Sequence, residues 1–247
     1  NFGEDPTKVD YERIFHARRS ILEIAVKNFL TKDAFRSDFQ NFEKNNRTWL
    51  DDYAEFMAFK EHFGNKALQK WEDKQLIARQ PKVLEKYRAM LKEKIQYFKV
   101  TQYFFFQQWK ALKAYANRKG IQIIGDMPIY VAADSVEVWT KPELFQLDAE
   151  RNPRFVAGVP ADQFSATGQL WGNPLYDWAA HKKQHYAWWI HRIEESFKIY
   201  DVLRIDHFKG FSDYWQVDGK ADIAKYGCWQ PGPGYDLFKA IKAQLGD

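Results

Sequence analysis

Cysteine is almost missing from this sequence: Cys228 is the one thiol in 247 residues. A single cysteine excludes an intrachain disulfide and suits a reducing, cytoplasmic setting. Long apolar runs are missing too. No stretch approaches the roughly 20 residues that a membrane span requires, and the start, Asn1 to Pro6, is polar and acidic, unlike a signal peptide. Neither sign of charge dominates, since 37 basic residues face 33 acidic ones. The small excess gives no reason to expect nucleic acid or an anionic membrane as a partner. A phosphate-cradling glycine loop is absent, as is the nucleophile elbow that Ser-His-Asp chemistry uses. His181 and His185 have the spacing of a metal-binding helix face, but Lys-Lys-Gln lies between them and no third ligand is apparent. Both are read as exposed helix surface, and no metal is expected.

Aromatic residues are abundant instead: ten Trp, thirteen Tyr and twenty Phe make up 17% of the chain. Tyr97, Phe98, Tyr103, Phe104, Phe105, Phe106 and Trp109 recur at helical spacing and are assigned to core. Phe164, Trp171 and Tyr176 fall in loop-like sequence, where packing and ligand contact are equally open readings.

The first part of the chain reads as helical. Apolar residues between Val9 and Leu30 form an amphipathic stripe, Thr48 is a candidate N-cap with Asp51 three residues on, and Gly64 is a stop. Pro81 opens a helical stretch that runs, with a break, to Gly120. The pattern then changes. Ile121–Ile124 is expected to be a short buried strand, and a long polar and aromatic segment follows from Met127 to Asp177, with a hairpin at Phe145–Val156. A helix over about 181–197, a strand over 202–205 and a final helix over 235–245 complete the chain. Strand and helix alternate here, which points to an α/β fold with a parallel sheet or barrel.

The most informative run is Asp201-Val-Leu-Arg-Ile-Asp-His-Phe-Lys-Gly210. Alternation along a strand places Arg204 and Asp206 on one face. An arginine beside a carboxylate favours its ionised form and holds it still, as a carboxylate nucleophile needs. A structural ion pair that ties a strand end to its loop is the competing reading.

Arg204-Ile-Asp-His-Phe-Lys-Gly210 resembles the nucleophile motif of the amylomaltases, 4-α-glucanotransferases of the α-amylase-like clan. Gly125-Asp-Met-Pro-Ile-Tyr-Val-Ala132 resembles a conserved strand-end segment of that family, and Gly168-Gln-Leu-Trp-Gly-Asn-Pro-Leu-Tyr-Asp-Trp178 resembles its active-site loop. Order and spacing agree, and weaker likeness reaches Asn46–Ala54 and Trp229–Gly234. The resemblance implies a partial (β/α)8 TIM barrel with a large helical insertion. Residues 1–119 would form a mainly helical subdomain plus a barrel helix, and residues 120–247 the βα units that carry the nucleophile strand and the loop.

It also implies a retaining transferase that moves α-1,4-glucan segments between maltodextrins, with no cofactor and with glucan oligosaccharides as partners. Asp206 would be the nucleophile and Arg204 its orienting partner; Asp126, Tyr130, Phe164, Trp171, Asn173 and His207 would contact substrate, with Asp134 a weaker candidate. Asp126 could be mistaken for a general acid, but its segment in the family supports the site, and a turn-capping aspartate is its bland reading. Lys209 stands where the family more often has arginine and receives no role, while Ala161 and Gln163 replace the commoner proline and tyrosine, so no stacking is assigned to position 163. The family's acid/base glutamate has no counterpart after Gly210, so the chain is expected to be an internal piece of such an enzyme without its acid/base. The alternatives are an α-amylase-like hydrolase and a non-catalytic glucan-binding fragment.

Overall fold

The computed structural model describes residues 4, 5, 7–32 and 36–246. Helix α1 (Tyr11–Leu30) starts two residues later than its apolar stripe suggests, because Asp10 caps it by accepting from the Arg13 amide at 2.9 Å. Helices α2 (Arg36–Asn45) and α3 (Arg47–His62) follow. Thr48 is not the N-cap of α3: the helix begins at Arg47, and Asn46 precedes it without a side-chain cap bond. Gly64, at φ 68°, stops that helix as expected. Helix α4 (Lys74–Ile77) leads to α5 (Pro81–Met90) and α6 (Lys92–Arg118), with the expected break at Leu91.

Strand β1 spans Ile124–Pro128 and β4 spans Val202–Asp206; the two pair in parallel. Strand β1 lies later than the expected Ile121–Ile124, and Ile121 and Ile124 are exposed rather than buried. Gly125, Asp126 and Pro128 are poor strand formers in isolation, and pairing with β4 overrides that preference. The lower ends of the pair are tied together by Asp201. Its carboxylate accepts from the Ile123 amide and from Asn117 of α6, each at 2.8 Å, and pairs with Lys113 at 3.2 Å. The Ile123 bond first, then Asn117, hold the Asp201 carboxyl below its usual range.

Between β1 and β4 lie α7 (Val136–Thr140), β2 (Phe155–Val159), β3 (Gln169–Pro174), α8 (Trp178–Lys183) and α9 (Ala187–Ile199). After β4 come β5 (Asp213–Asp218), β6 (Gly227–Pro231) and α10 (Tyr235–Leu245). Strands β3-β2-β5-β6 form an antiparallel sheet, an element that strand–helix alternation does not anticipate. The segment from Met127 to Asp177 is thus more regular than a loop, and it includes a tight reversal where Leu147 bridges Pro153. The expected helix over 181–197 is two helices, broken where His185 and Tyr186 adopt φ of 51° and 57°.

One apolar cluster runs from Val26 to Leu237, with Trp71, Trp139 and Trp189 fully buried. Trp139 donates its indole N–H to the Leu76 carbonyl at 3.1 Å, and the Arg79 guanidinium lies 4.1 Å from its ring centre. Tyr97, Phe98 and Tyr103 are core as expected, whereas Phe105 is exposed. His181 is also corrected: it is buried in the aromatic cluster, and His185 lies beyond the end of α8, so the two share no helix face.

Candidate functional site

Parallel pairing decides which charges meet. The register sets Asp126 opposite Arg204 and Pro128 opposite Asp206. Arg204 therefore stands between two carboxylates, with Nη1 3.5 Å from Asp126 Oδ2 and Nη2 3.2 Å from Asp206 Oδ1. All three side chains are more than half exposed, at 57% for Asp126, 65% for Arg204 and 60% for Asp206. Ion pairs this exposed add little to stability, so the cluster is not explained as a structural clamp. What it offers is a fixed carboxylate at a strand end with one face open.

An aromatic run borders that face. Immediately after Asp206, His207 adopts the left-handed conformation (φ 52°), which turns the chain into the 3-10 turn Phe208–Phe211. Its ring meets Trp171 edge-on at 4.7 Å, and Trp171 lies 6.3 Å from Tyr130. Burial pushes the His207 imidazole down and Lys209 adds to this, while the Asp206 charge pulls the other way. Burial also raises the Tyr130 phenol, which packs flat on Tyr176 at 5.9 Å.

Trp171 and Asn173 belong to β3 rather than to an open loop. Val156 pairs with Pro174 and Gly158 with Leu170, so Trp171, Gly172 and Asn173 oppose the single residue Ala157. The strand must bow outward there, and Gly172, at φ 76°, supplies the conformation. Trp171 remains 36% exposed in this bulge. Asn173 uses its amide to donate to the Val131 carbonyl at 2.9 Å, which joins the bulge to the chain leaving β1.

Other candidates lie apart. Phe164 is 87% exposed on the turn built by Asp162, which accepts from the Phe164 and Ser165 amides at 2.9 and 2.8 Å. Among the described residues its ring touches no other aromatic. Asp134 faces the helical part instead, where it accepts from the Leu68 amide at 2.9 Å and pairs with Lys60. Lys209, given no role from sequence, has its ammonium 3.9 Å from the centre of the Trp229 ring and pairs with Asp213.

Tyr176, left open between packing and ligand contact by its sequence, is buried behind the site, and beside it stands Arg192, which sits in a helix with no motif to single it out. Among the described residues one group, His191, Glu194 and Glu195, brings potential metal-ligand atoms within 4.8 Å of one another. It lies on one exposed-to-intermediate face of α9, and Glu195 is paired with Lys198.

A sequence model of glycoside hydrolase family 77, described as 4-alpha-glucanotransferase, matches residues 2–247. A 4-alpha-glucanotransferase of Streptococcus pneumoniae is 52% identical over 247 residues, covering 100% of this chain and 49% of its own length. One from Thermus thermophilus is 42% identical, covering 99% of this chain and 50% of its own length. Among solved structures, an amylomaltase from Streptococcus agalactiae in complex with acarbose matches at a TM-score of 0.96 and 58% identity, over 100% of this chain and 50% of that one. The amylomaltase of Corynebacterium glutamicum, at 15% identity and a TM-score of 0.74 over 96% of this chain and 31% of that one, shares the fold. The chain spans about half the length of the curated relatives it matches.

Proposed function

The chain belongs to the 4-α-glucanotransferase family, glycoside hydrolase family 77, and on that premise we propose that it carries the nucleophile half of a retaining transferase acting on α-1,4-glucans. The observation that supports this most is Arg204 held between Asp126 and Asp206 at neighbouring strand ends, beside an aromatic bulge. Charged residues at the C-terminal ends of parallel strands are where βα barrels do their chemistry. Strands β1 and β4 are accordingly assigned to such a barrel, with residues 1–119 as helical subdomain and barrel helix, and 120–247 as its βα units.

In the proposed reaction an Asp206 oxygen attacks C1 of the donor glucose while a carboxylic acid protonates the departing glycosidic oxygen. The β-linked glycosyl-aspartate is then opened by the 4-hydroxyl of an acceptor sugar, whose proton returns to the same acid/base. Arg204 orients Asp206 through its 3.2 Å contact. Asp126, Tyr130, Trp171, Asn173 and His207 line the sugar path, and Phe164, on its exposed turn, is assigned to a more distant sugar contact. Pyranose C–H faces suit the exposed indole of Trp171. The acid/base is assigned to sequence outside these 247 residues, in keeping with relatives about twice as long. Glucan oligosaccharides are the proposed substrates; the Streptococcus agalactiae relative was solved with acarbose, itself oligosaccharide-like.

The test is Asp206→Asn in the natural full-length protein, assayed on maltotriose. Asn keeps the volume and removes the nucleophilic charge, so glucose release and longer products should both vanish while maltodextrin still binds. Turnover near that of the wild type would overturn the assignment. Free reducing ends without redistributed chain lengths would mark a hydrolase instead.

A further inference from the structure

We infer that Arg192 is a positioning residue for the nucleophile: from α9 it fixes the chain leaving β1, and through it the wall on which Asp206 is held. This rests on the assignment of Asp206 as nucleophile. The guanidinium donates from Nη2 to the Pro128 carbonyl at 2.7 Å and from Nη1 to the Ile129 carbonyl at 3.0 Å and the Tyr176 phenol oxygen at 3.2 Å. Tyr176 in turn donates to the same Ile129 carbonyl at 2.7 Å. The ring centres of Trp188 and Trp189 lie 5.3 and 5.0 Å from the guanidinium carbon.

Three features separate this from an ordinary packing contact. First, among the described residues no carboxylate forms an ion pair with Arg192, and its guanidinium donates to this one stretch and its tyrosine. Second, the bonded residues adjoin the site directly. Pro128 is the register partner of Asp206, and Ile129 precedes Tyr130, which underlies the Trp171–His207 contact. Gly210 closes the same corner: a Cβ there would lie 2.9 Å from the Ile129 side chain and 3.4 Å from the Tyr130 hydroxyl. Third, a planar fork is what reaches two successive carbonyls from one side, which a lysine ammonium cannot reproduce. Without the fork, the end of β1 can shift against the end of β4, and with it the surface that sets the sugar over Asp206.

Arg192 also borders a cavity of about 390 Å³ between α3, α6, α7 and α9, whose walls include Trp49, Phe106 and Trp188. That cavity gives the experiment its lever, because removal of the side chain leaves a guanidinium-shaped gap reachable from solvent. In the natural full-length protein, Arg192→Ala should lower kcat on maltotriose by about 10- to 100-fold, the loss expected when reacting groups are displaced by about 1 Å. KM should change little. Guanidinium chloride at low, non-denaturing concentration should then recover several-fold of the lost kcat, and sodium chloride at equal ionic strength should not. Arg192→Lys should fall between wild type and Arg192→Ala.

A kcat within twofold of wild type, or a loss that guanidinium does not relieve, would overturn the inference. Should Arg192→Ala fail to fold, Arg192→Lys decides: lowered kcat at unchanged KM and melting temperature supports the role, and wild-type kcat refutes it. Asp206→Asn in the same assay keeps the two readings apart. An active Asp206→Asn sinks the nucleophile assignment, whereas an inactive one beside a fully active Arg192→Ala sinks only the present proposal.

Discussion

Acidification should weaken this fold through one identifiable side chain. His181 is 1% exposed in α8, edge-on to Tyr176 at 5.2 Å, with Trp178 and Trp188 at 5.3 and 5.7 Å. Burial drives its imidazole from the ordinary 6.5 to about 4; the Leu144 backbone and the Asp177 charge oppose this and lose. Between those two values the unfolded chain binds the proton and the folded chain does not, so stability rises with pH across that window. The contribution is complete above pH 6.5, drains away as pH falls, and is gone below about 4. At roughly 1.4 kcal/mol per pH unit of separation, protonation of His181 costs the fold about 3 kcal/mol between neutral pH and pH 4. That is a large share of the ~5–15 kcal/mol by which domains are stable. His181→Phe keeps an aromatic ring and abolishes the titration. Urea unfolding of both proteins at pH 7, 5.5 and 4 should show the stability of wild type relative to His181→Phe falling by about 3 kcal/mol from the highest pH to the lowest. Carboxylates titrate alike in both and cancel in the difference. A difference that stays flat with pH, or an NMR titration of the His181 ring near 6.5, would refute the reasoning.

Two further outcomes are expected beside those for Asp206 and Arg192. Trp171→Ala should raise KM for maltodextrins by several-fold to about tenfold, since one stacking contact is worth about 1 kcal/mol; its melting temperature should hold because the indole sits in an exposed bulge, and a collapse in stability with unchanged kinetics would mark it as core. Gly125→Ala should destabilise by about 1–3 kcal/mol through overpacking, because its Cβ would come within 2.1 Å of the Tyr200 ring; thermal melts at wild-type level would show that the ring moves aside freely.

Some of this could be read from sequence for a definite reason. Strand alternation is rigid, so the shared face of Arg204 and Asp206 followed from spacing alone, and the ends of α5, α6 and α10 carried Pro and Gly signals. The register that brings Asp126 to the same arginine is a long-range fact that no local pattern encodes. The antiparallel sheet was hidden because its strands look like turns: β6 is Gly-Cys-Trp-Gln-Pro, and β3 holds Gly172 and Pro174. Tertiary pairing, not propensity, makes them strands. His181 was misread because Lys182 and Lys183 suggest a solvated surface, while the helix turns that one residue inward. Arg192 shows the same blindness from the other side, since its acceptors are carbonyls sixty-odd residues earlier.

The Asp201 latch has a consequence for how such a chain could diversify. It fastens β1 and β4 to α6 at one end, while Arg192 fastens the end of β1 to α9 at the other. The turn at Phe164, spliced between the two strands ahead of α9, hangs from that frame and makes none of these fastening bonds. Under the proposed function, insertions, deletions and grafts at that turn retune which sugars are gripped while the carboxylates stay in register. Selection could rework the grip of this protein without renegotiating its chemistry.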